Sequence, residues 1–176
     1  EEGADLDPEE FGVLAAKALE TAIDELGEDR VAAFIAEPVQ GAGGVIVPPE
    51  SYWPEVKRIL DERDILLISD EVICGFGRTG NDFGCTTMEI KPDLMSLAKQ
   101  LSSAYIPISA SIIPGFMHEA MRDPSEQIGI FGHGYTYTGH PVACAAALKT
   151  LEMPTLVVWG HDDRSYRWPQ VETLWK

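Results

Sequence analysis

An α/β domain with a mostly parallel sheet flanked by helices is the fold this sequence predicts, and three observations predict it. Two short apolar runs, 31–36 and 65–69, stop at acids, Glu37 and Asp70, as buried parallel strands do where their carboxyl ends open into a crevice. Each run follows a segment of helical period, 8–26 and 51–63. A third run, 93–98, ends on Lys99. Strands alternating with helices are how such a sheet is built. With 176 residues, 45% of them hydrophobic, the chain can bury one sizeable core, so one domain or most of one is expected.

The first helix is framed by Asp7 as N-cap, Pro8 at the first helical position and Glu10 as capping-box acid, with Gly27 closing it. Phe11, Leu14, Ala15, Ala18, Leu19, Ala22, Ile23 and Leu26 recur at helical spacing and are expected inside. Gly41, Gly43 and Gly44 mark a loop after the first strand. The second helix, 51–63, turns Val56, Ile59 and Leu60 inward. Residues 106–113 alternate as a further strand, 116–122 form a short helix, and Pro141 opens a helix over 142–152.

The net charge of −16 argues against nucleic acid or an anionic membrane as partner, since both need clustered Lys and Arg. Residues 1–30 hold eleven acids and two bases, so over half of the excess sits on the leading segment, read as a solvated helix face. No apolar run approaches the roughly 18 residues of a membrane span, and the leading residues are acidic rather than signal-like; a cytoplasmic setting is expected. Cys74, Cys85 and Cys144 form no CxxC pair and are read as reduced thiols. His133 and His140 are expected to be structural, His140 as a cap, without metal-ligand spacing to other donors.

The chemistry gathers at the ends of the second and third strands. Alternation places Asp70 and Val72 on one face and Glu71 on the other. An acid and a lysine at the ends of two strands are the pieces a pyridoxal phosphate (PLP) site needs: a lysine amine to carry the cofactor as a Schiff base and a carboxylate to keep its ring nitrogen protonated. Spacing alone leaves open that Asp70 and Lys99 only meet solvent or pair on the surface. The run Gly75–Gly80 matches GxGxxG after a strand, but residues 81–84 read as a turn rather than the helix that must cradle a pyrophosphate, so a dinucleotide fold is rejected. Arg78 is read as structural.

Four segments, 36–44 (AEPVQGAGG), 69–80 (SDEVICGFGRTG), 97–103 (LAKQLSS) and 134–141 (GYTYTGHP), resemble in order the class III PLP-dependent aminotransferases, and within them the amine:pyruvate, or omega, transaminases. The resemblance covers residues 1–152 and implies an incomplete large domain of the fold type I PLP-dependent transferases. It implies Lys99 as the Schiff-base lysine and proton-transfer base, Asp70 as partner of the ring nitrogen and Val72 as packing on the ring. Glu37 and Gln40 are implied on the cofactor side of the 37–44 loop, where plain loop polarity is the alternative. Thr136 and its neighbour Tyr135 would contact the cofactor phosphate of the partner subunit in a homodimer; the residues alone leave Thr136 an ordinary loop threonine. A glutamate that some relatives handling omega-amino acids carry is Ala42 here, which resembles the amine:pyruvate branch. The implied reaction is transamination between an amine or omega-amino acid and a keto acid such as pyruvate.

Departures from the family pattern set the alternatives. Relatives usually carry glycine where this chain has Gln100 and Ala104, and side chains there would crowd the lysine turn if it needs positive φ. The family's glycine-serine phosphate loop and ring-stacking aromatic are not found in the sequence, so exposed apolar patches are expected. Residues 153–176 leave the family pattern and resemble an α/β-hydrolase strand with Asp163 at the acid position, but no Gly-x-Ser-x-Gly elbow accompanies it. The alternatives to the transaminase are therefore an inert fragment that binds PLP or docks onto a subunit, a class III aminomutase and, least supported, a hydrolase.

Overall fold

The computed structural model describes residues 5–152; the 153–176 segment with Asp163 lies outside the described residues. The N-cap signal holds. Helix α1 (Pro8–Leu26) begins with Asp7 accepting from the amides of Glu9 and Glu10 and ends at Gly27, whose φ of 92° few other residues tolerate. Strand β1 (Ala33–Ala36), helix α2 (Tyr52–Glu62) and strand β2 (Leu66–Asp70) follow, then the short helix α3 (Gly84–Thr87) and strand β3 (Leu94–Leu97). Strand β4 (Ala110–Ile112) and helices α4 (Gly115–Ile128) and α5 (Pro141–Glu152) complete the order.

The sheet runs β1-β2-β3-β4, with β1, β2 and β3 parallel and β4 antiparallel. Ala36 stands beside Ser69, Asp70 beside Ser96 and Leu97 beside Ala110. This register brings the carboxyl ends of the parallel strands, and the loops after them, to one edge. Side chains alternate across β2. Ile65, Leu67 and Ser69 are buried on the helix-covered face, whereas Leu66, Ile68 and Asp70 are half-buried on the other. The core joins Ile65 and Leu67 to Ala16 and Ile23 of α1 and to Trp53, Val56, Ile59 and Leu60 of α2.

Helix α1 turns Leu19 and Ile23 inward as its spacing predicts, but the rest of its buried stripe is shifted toward the small residues Gly12 and Ala16. Gly12, Ala16 and Ile23 are buried, with Leu19 packed beside them, while Phe11 and Leu26 are exposed. Close packing decides this: a Cβ on Gly12 would lie 2.3 Å from Ser51 Oγ, so the small-residue side faces α2. Ser51 donates from its amide to Glu9 Oε2 (2.8 Å) and from its hydroxyl to Glu9 O (2.6 Å). At the far ends Arg63 donates to Glu20 (2.9 Å) and Asp24 (3.5 Å), so the two helices run in the same direction.

Two elements differ from their expected extents. The strand expected over 106–113 shrinks to Ala110–Ile112, because Pro107 has no amide to donate and the Ile106 carbonyl is engaged by Ser102. The helix expected over 116–122 runs from Gly115 to Ile128. It continues past Pro124, and Gly129 (φ 75°) closes it in the left-handed conformation. Apolar side chains of this half lie open, among them Ile128, Ile130, Tyr137 and Leu148, as expected for uncovered faces. Among the described residues no helix is long and apolar enough to cross a membrane.

Candidate active site

Asp70 closes β2 on the half-buried face, beside Ser96 of β3. Its Oδ1 accepts from the Val72 amide at 3.0 Å, while Oδ2 has no hydrogen-bond partner among the described residues. A half-buried carboxylate oriented through one oxygen keeps the other for a cationic N–H. Val72 does not extend the strand: β2 ends at Asp70 and Val72 begins a turn, so strand alternation does not place Asp70 and Val72 on a common face. They are joined instead by the amide-to-carboxylate bond.

Among the described residues the buried acid is Glu71, to which strand alternation gave a face but no role. It is 0% exposed. Its carboxylate accepts from Ser69 Oγ (3.0 Å), the Gly84 amide (2.8 Å) and the Cys85 amide (2.7 Å), tying the end of β2 to the start of α3. Gly84 allows this approach, since a Cβ there would lie 2.5 Å from Cys74 Cβ and 3.0 Å from Pro38 Cβ. Alternation was the available signal, because it places Glu71 on the face of Ser69 and Leu67.

The same pocket of packing controls the thiols. Burial, and next the hydrogen bond to Glu71, push the Cys85 thiol up to about 11, and burial also raises Cys74. At mildly alkaline pH a thiol reagent is expected to modify Cys144 and to spare Cys74 and Cys85 until denaturant is added. The stability contributed by a protonated Cys85 is complete below its ordinary value of 9.0 and is lost as pH rises through about 11. Unfolding midpoints measured across that window should fall; a flat profile would contradict the assignment.

Lys99 follows β3 and is exposed, making no ion pair among the described residues. Its φ is 42°, and Ser103 (48°) and Ala104 (63°) are also left-handed. Three such residues in six concentrate strain at the lysine, at roughly 1–2 kcal/mol each for non-glycine side chains. The concern about glycine substitution therefore falls on Ala104 and not on Gln100, whose φ is not positive. Ala104→Gly is expected to raise stability by about 1 kcal/mol, read as a higher urea midpoint.

Glu37 and Gln40 lie on the loop after β1, at the same sheet edge. Glu37 Oε2 accepts from the Gly41 amide (3.0 Å), and Gln40 exchanges backbone hydrogen bonds with Ile46 (3.0 and 2.9 Å), so both shape the loop. Tyr135 and Thr136 sit elsewhere, on an exposed segment; Tyr135 is 80% exposed and its amide donates to Thr138 Oγ1 (2.7 Å). A cavity of about 1240 Å³, lined by Ile106, Ile113, Phe131, Tyr135, Tyr137 and His140 among others, includes neither Asp70 nor Lys99. His140 caps α5, its Nδ1 accepting from the Ala143 amide at 3.4 Å. Arg78 Nε donates to Ile73 O (2.7 Å), and the four-residue α3 after the GxGxxG run gives no helix long enough for a dinucleotide site.

The family model described as Aminotransferase class-III matches residues 7–157. A putrescine–pyruvate aminotransferase of Pseudomonas aeruginosa is 55% identical over 152 residues, covering 86% of this chain and 32% of that protein. Gamma aminobutyrate transaminase 3, chloroplastic, of Solanum lycopersicum is 53% identical over 145 residues, covering 82% and 28%. Among solved structures, a transaminase with L-ala has a TM-score of 0.81 at 51% identity, covering 86% of this chain and 36% of that one. The omega transaminase of Pseudomonas jessenii in complex with PMP has a TM-score of 0.80 at 50% identity, covering 85% and 33%. The chain thus spans about a third of the length of these relatives.

Proposed function

Because the chain belongs to the class III aminotransferases, we propose that it carries the PLP-binding core of an enzyme that moves an amino group from a primary amine or omega-amino acid to a keto acid such as pyruvate. One observation carries this reading: Asp70 and Lys99 leave the carboxyl ends of adjacent parallel strands, Asp70 with Oδ2 unengaged and Lys99 without an ion pair among the described residues. That donor set fits PLP, which when bound supplies an electron sink for the electrons left by a departing α-proton.

The chain's own residues supply the rest. Asp70 Oδ2 holds a proton on the ring nitrogen, and its Oδ1 bond to Val72 fixes the carboxylate plane. Lys99 Nζ would provide covalent attachment and, once the incoming amine displaces it and leaves its own lone pair free, would be the base that takes the amine's α-proton. Val72 would pack on the ring. Glu37 and Gln40 hold the loop that borders the substrate, where Ala42 adds no charge. The exposure of Tyr135 and Thr136 supports contact with a cofactor phosphate across a homodimer.

The test is to add PLP to the purified chain, reduce with borohydride and map the peptides. A pyridoxyl group on Lys99 is the expected result. Label scattered over lysines such as Lys17, Lys57 and Lys91, or none, would overturn the reading. A second reading, PLP binding without turnover, is favoured by Ala104, a non-glycine residue at φ 63° in the lysine turn. Amino transfer to pyruvate after labelling-competent binding separates the two, and product analysis separates a transaminase from an aminomutase.

A further inference from the structure

Ser102 carries one of the few buried hydroxyls among the described residues, directly in the lysine turn. It is 2% exposed, and its Oγ donates to the Ile106 carbonyl at 2.5 Å. The segment it closes, 102–106, contains the left-handed Ser103 and Ala104, and Ser102 ends the turn Lys99–Ser102 that the left-handed Lys99 begins. Such backbone persists only where the surroundings over-determine it. The backbone bonds there, Leu101 N to Ala98 O, Ser103 N to Gln100 O and Tyr105 N to Ser102 O, each span three residues, and none of them reaches Ile106. Leu101 anchors the middle of the turn by packing with Leu97 and Ala147. The side-chain bond from Gln100 Nε2 to Ser103 Oγ is longer, at 3.3 Å, and also stays within the turn.

We propose that Ser102 is a positioning residue for Lys99: its buried hydroxyl, bonded to Ile106 O, fixes the end of the turn that Lys99 begins, and with Leu101 anchoring the middle of that turn it holds the left-handed backbone from which the Lys99 side chain leaves. The proposal rests on the reading of Lys99 as the attachment lysine and deepens it. Reversal of φ at Lys99 would redirect its Cβ and carry the amine away from the edge that Asp70 occupies. A threonine at 102 retains the hydroxyl, whereas alanine leaves the Ile106 carbonyl without its donor.

The experiment uses the isotope-labelled full chain, unsubstituted and as Ser102→Ala and Ser102→Thr, with Ser102→Ala also made together with Ala104→Gly so that a folded version is in hand. Intraresidue amide-to-α-proton NOE intensity and carbon shifts at Lys99 report the sign of φ without cofactor; borohydride labelling with PLP reports the use of the amine. Positive φ is expected in the unsubstituted and Ser102→Thr chains and lost in Ser102→Ala, with Lys99 labelling reduced about tenfold, the factor an ordinary hydrogen bond is worth. Retention of positive φ and full labelling in Ser102→Ala would overturn the proposal. So would a negative φ in the unsubstituted chain, or losses that only track each variant's urea midpoint. Absence of Lys99 label from the unsubstituted chain would overturn the cofactor reading instead, and the sign of φ would still decide the role of Ser102.

Discussion

Glu71→Leu is expected to cost about 4 kcal/mol, because it leaves two buried amides without acceptors at roughly 1–3 kcal/mol each and removes charge-assisted bonds besides. The side chain is 0% exposed and receives Ser69 Oγ, the Gly84 amide and the Cys85 amide. Leucine nearly conserves volume, so the loss would not be that of a cavity. Against a typical total of about 5–15 kcal/mol, such a cost brings a domain close to unfolding. Glu71→Gln keeps one acceptor oxygen but turns an amide group toward a backbone donor, and an intermediate loss is expected. It should also lower the Cys85 pKa, since the Glu71 bond and charge both raise it, while burial keeps it above the ordinary value. Urea midpoints for the two variants check the order; a leucine variant as stable as the parent would show that the α3 amides find other acceptors.

Asp70→Asn is expected to weaken PLP binding roughly 10- to 100-fold, the worth of one hydrogen bond to a charged group, and to leave stability within about 0.5 kcal/mol. Asparagine retains an oxygen for the Val72 amide, so the turn after β2 keeps its bond and the substitution isolates the charge. A PLP absorbance titration with parallel urea unfolding separates the two effects. Equal affinity in parent and variant would remove Asp70 from the ring-nitrogen role; a large fall in stability would mean that its charge serves the fold.

Much of this was legible in the residues. The caps at Asp7 and Gly27, the β1 and β2 runs, the inward Val56, Ile59 and Leu60 and the His140 cap all depend on neighbours within one or two turns, and such local rules can be read along a chain. The α1 stripe was legible at Leu19 and Ile23 but not at Gly12 and Ala16, because its apolar period is broad and contact with Ser51, 39 positions from Gly12, selected the side. The 106–113 strand was overestimated because the Ser102 bond consumes a carbonyl that alternation treats as available.

The sequence by itself determined the order of strands and helices, the α/β class and the arrival of Asp70 and Lys99 at strand ends, since period and strand length follow from adjacent residues. Only the tertiary structure decided that Glu71 would bind amides 13 and 14 residues away, that α1 would bury Gly12 and Ala16, and that Lys99 would stand at positive φ. Those choices depend on which distant groups come within hydrogen-bond or van der Waals reach, and that is fixed when the sheet, α2 and α3 pack together.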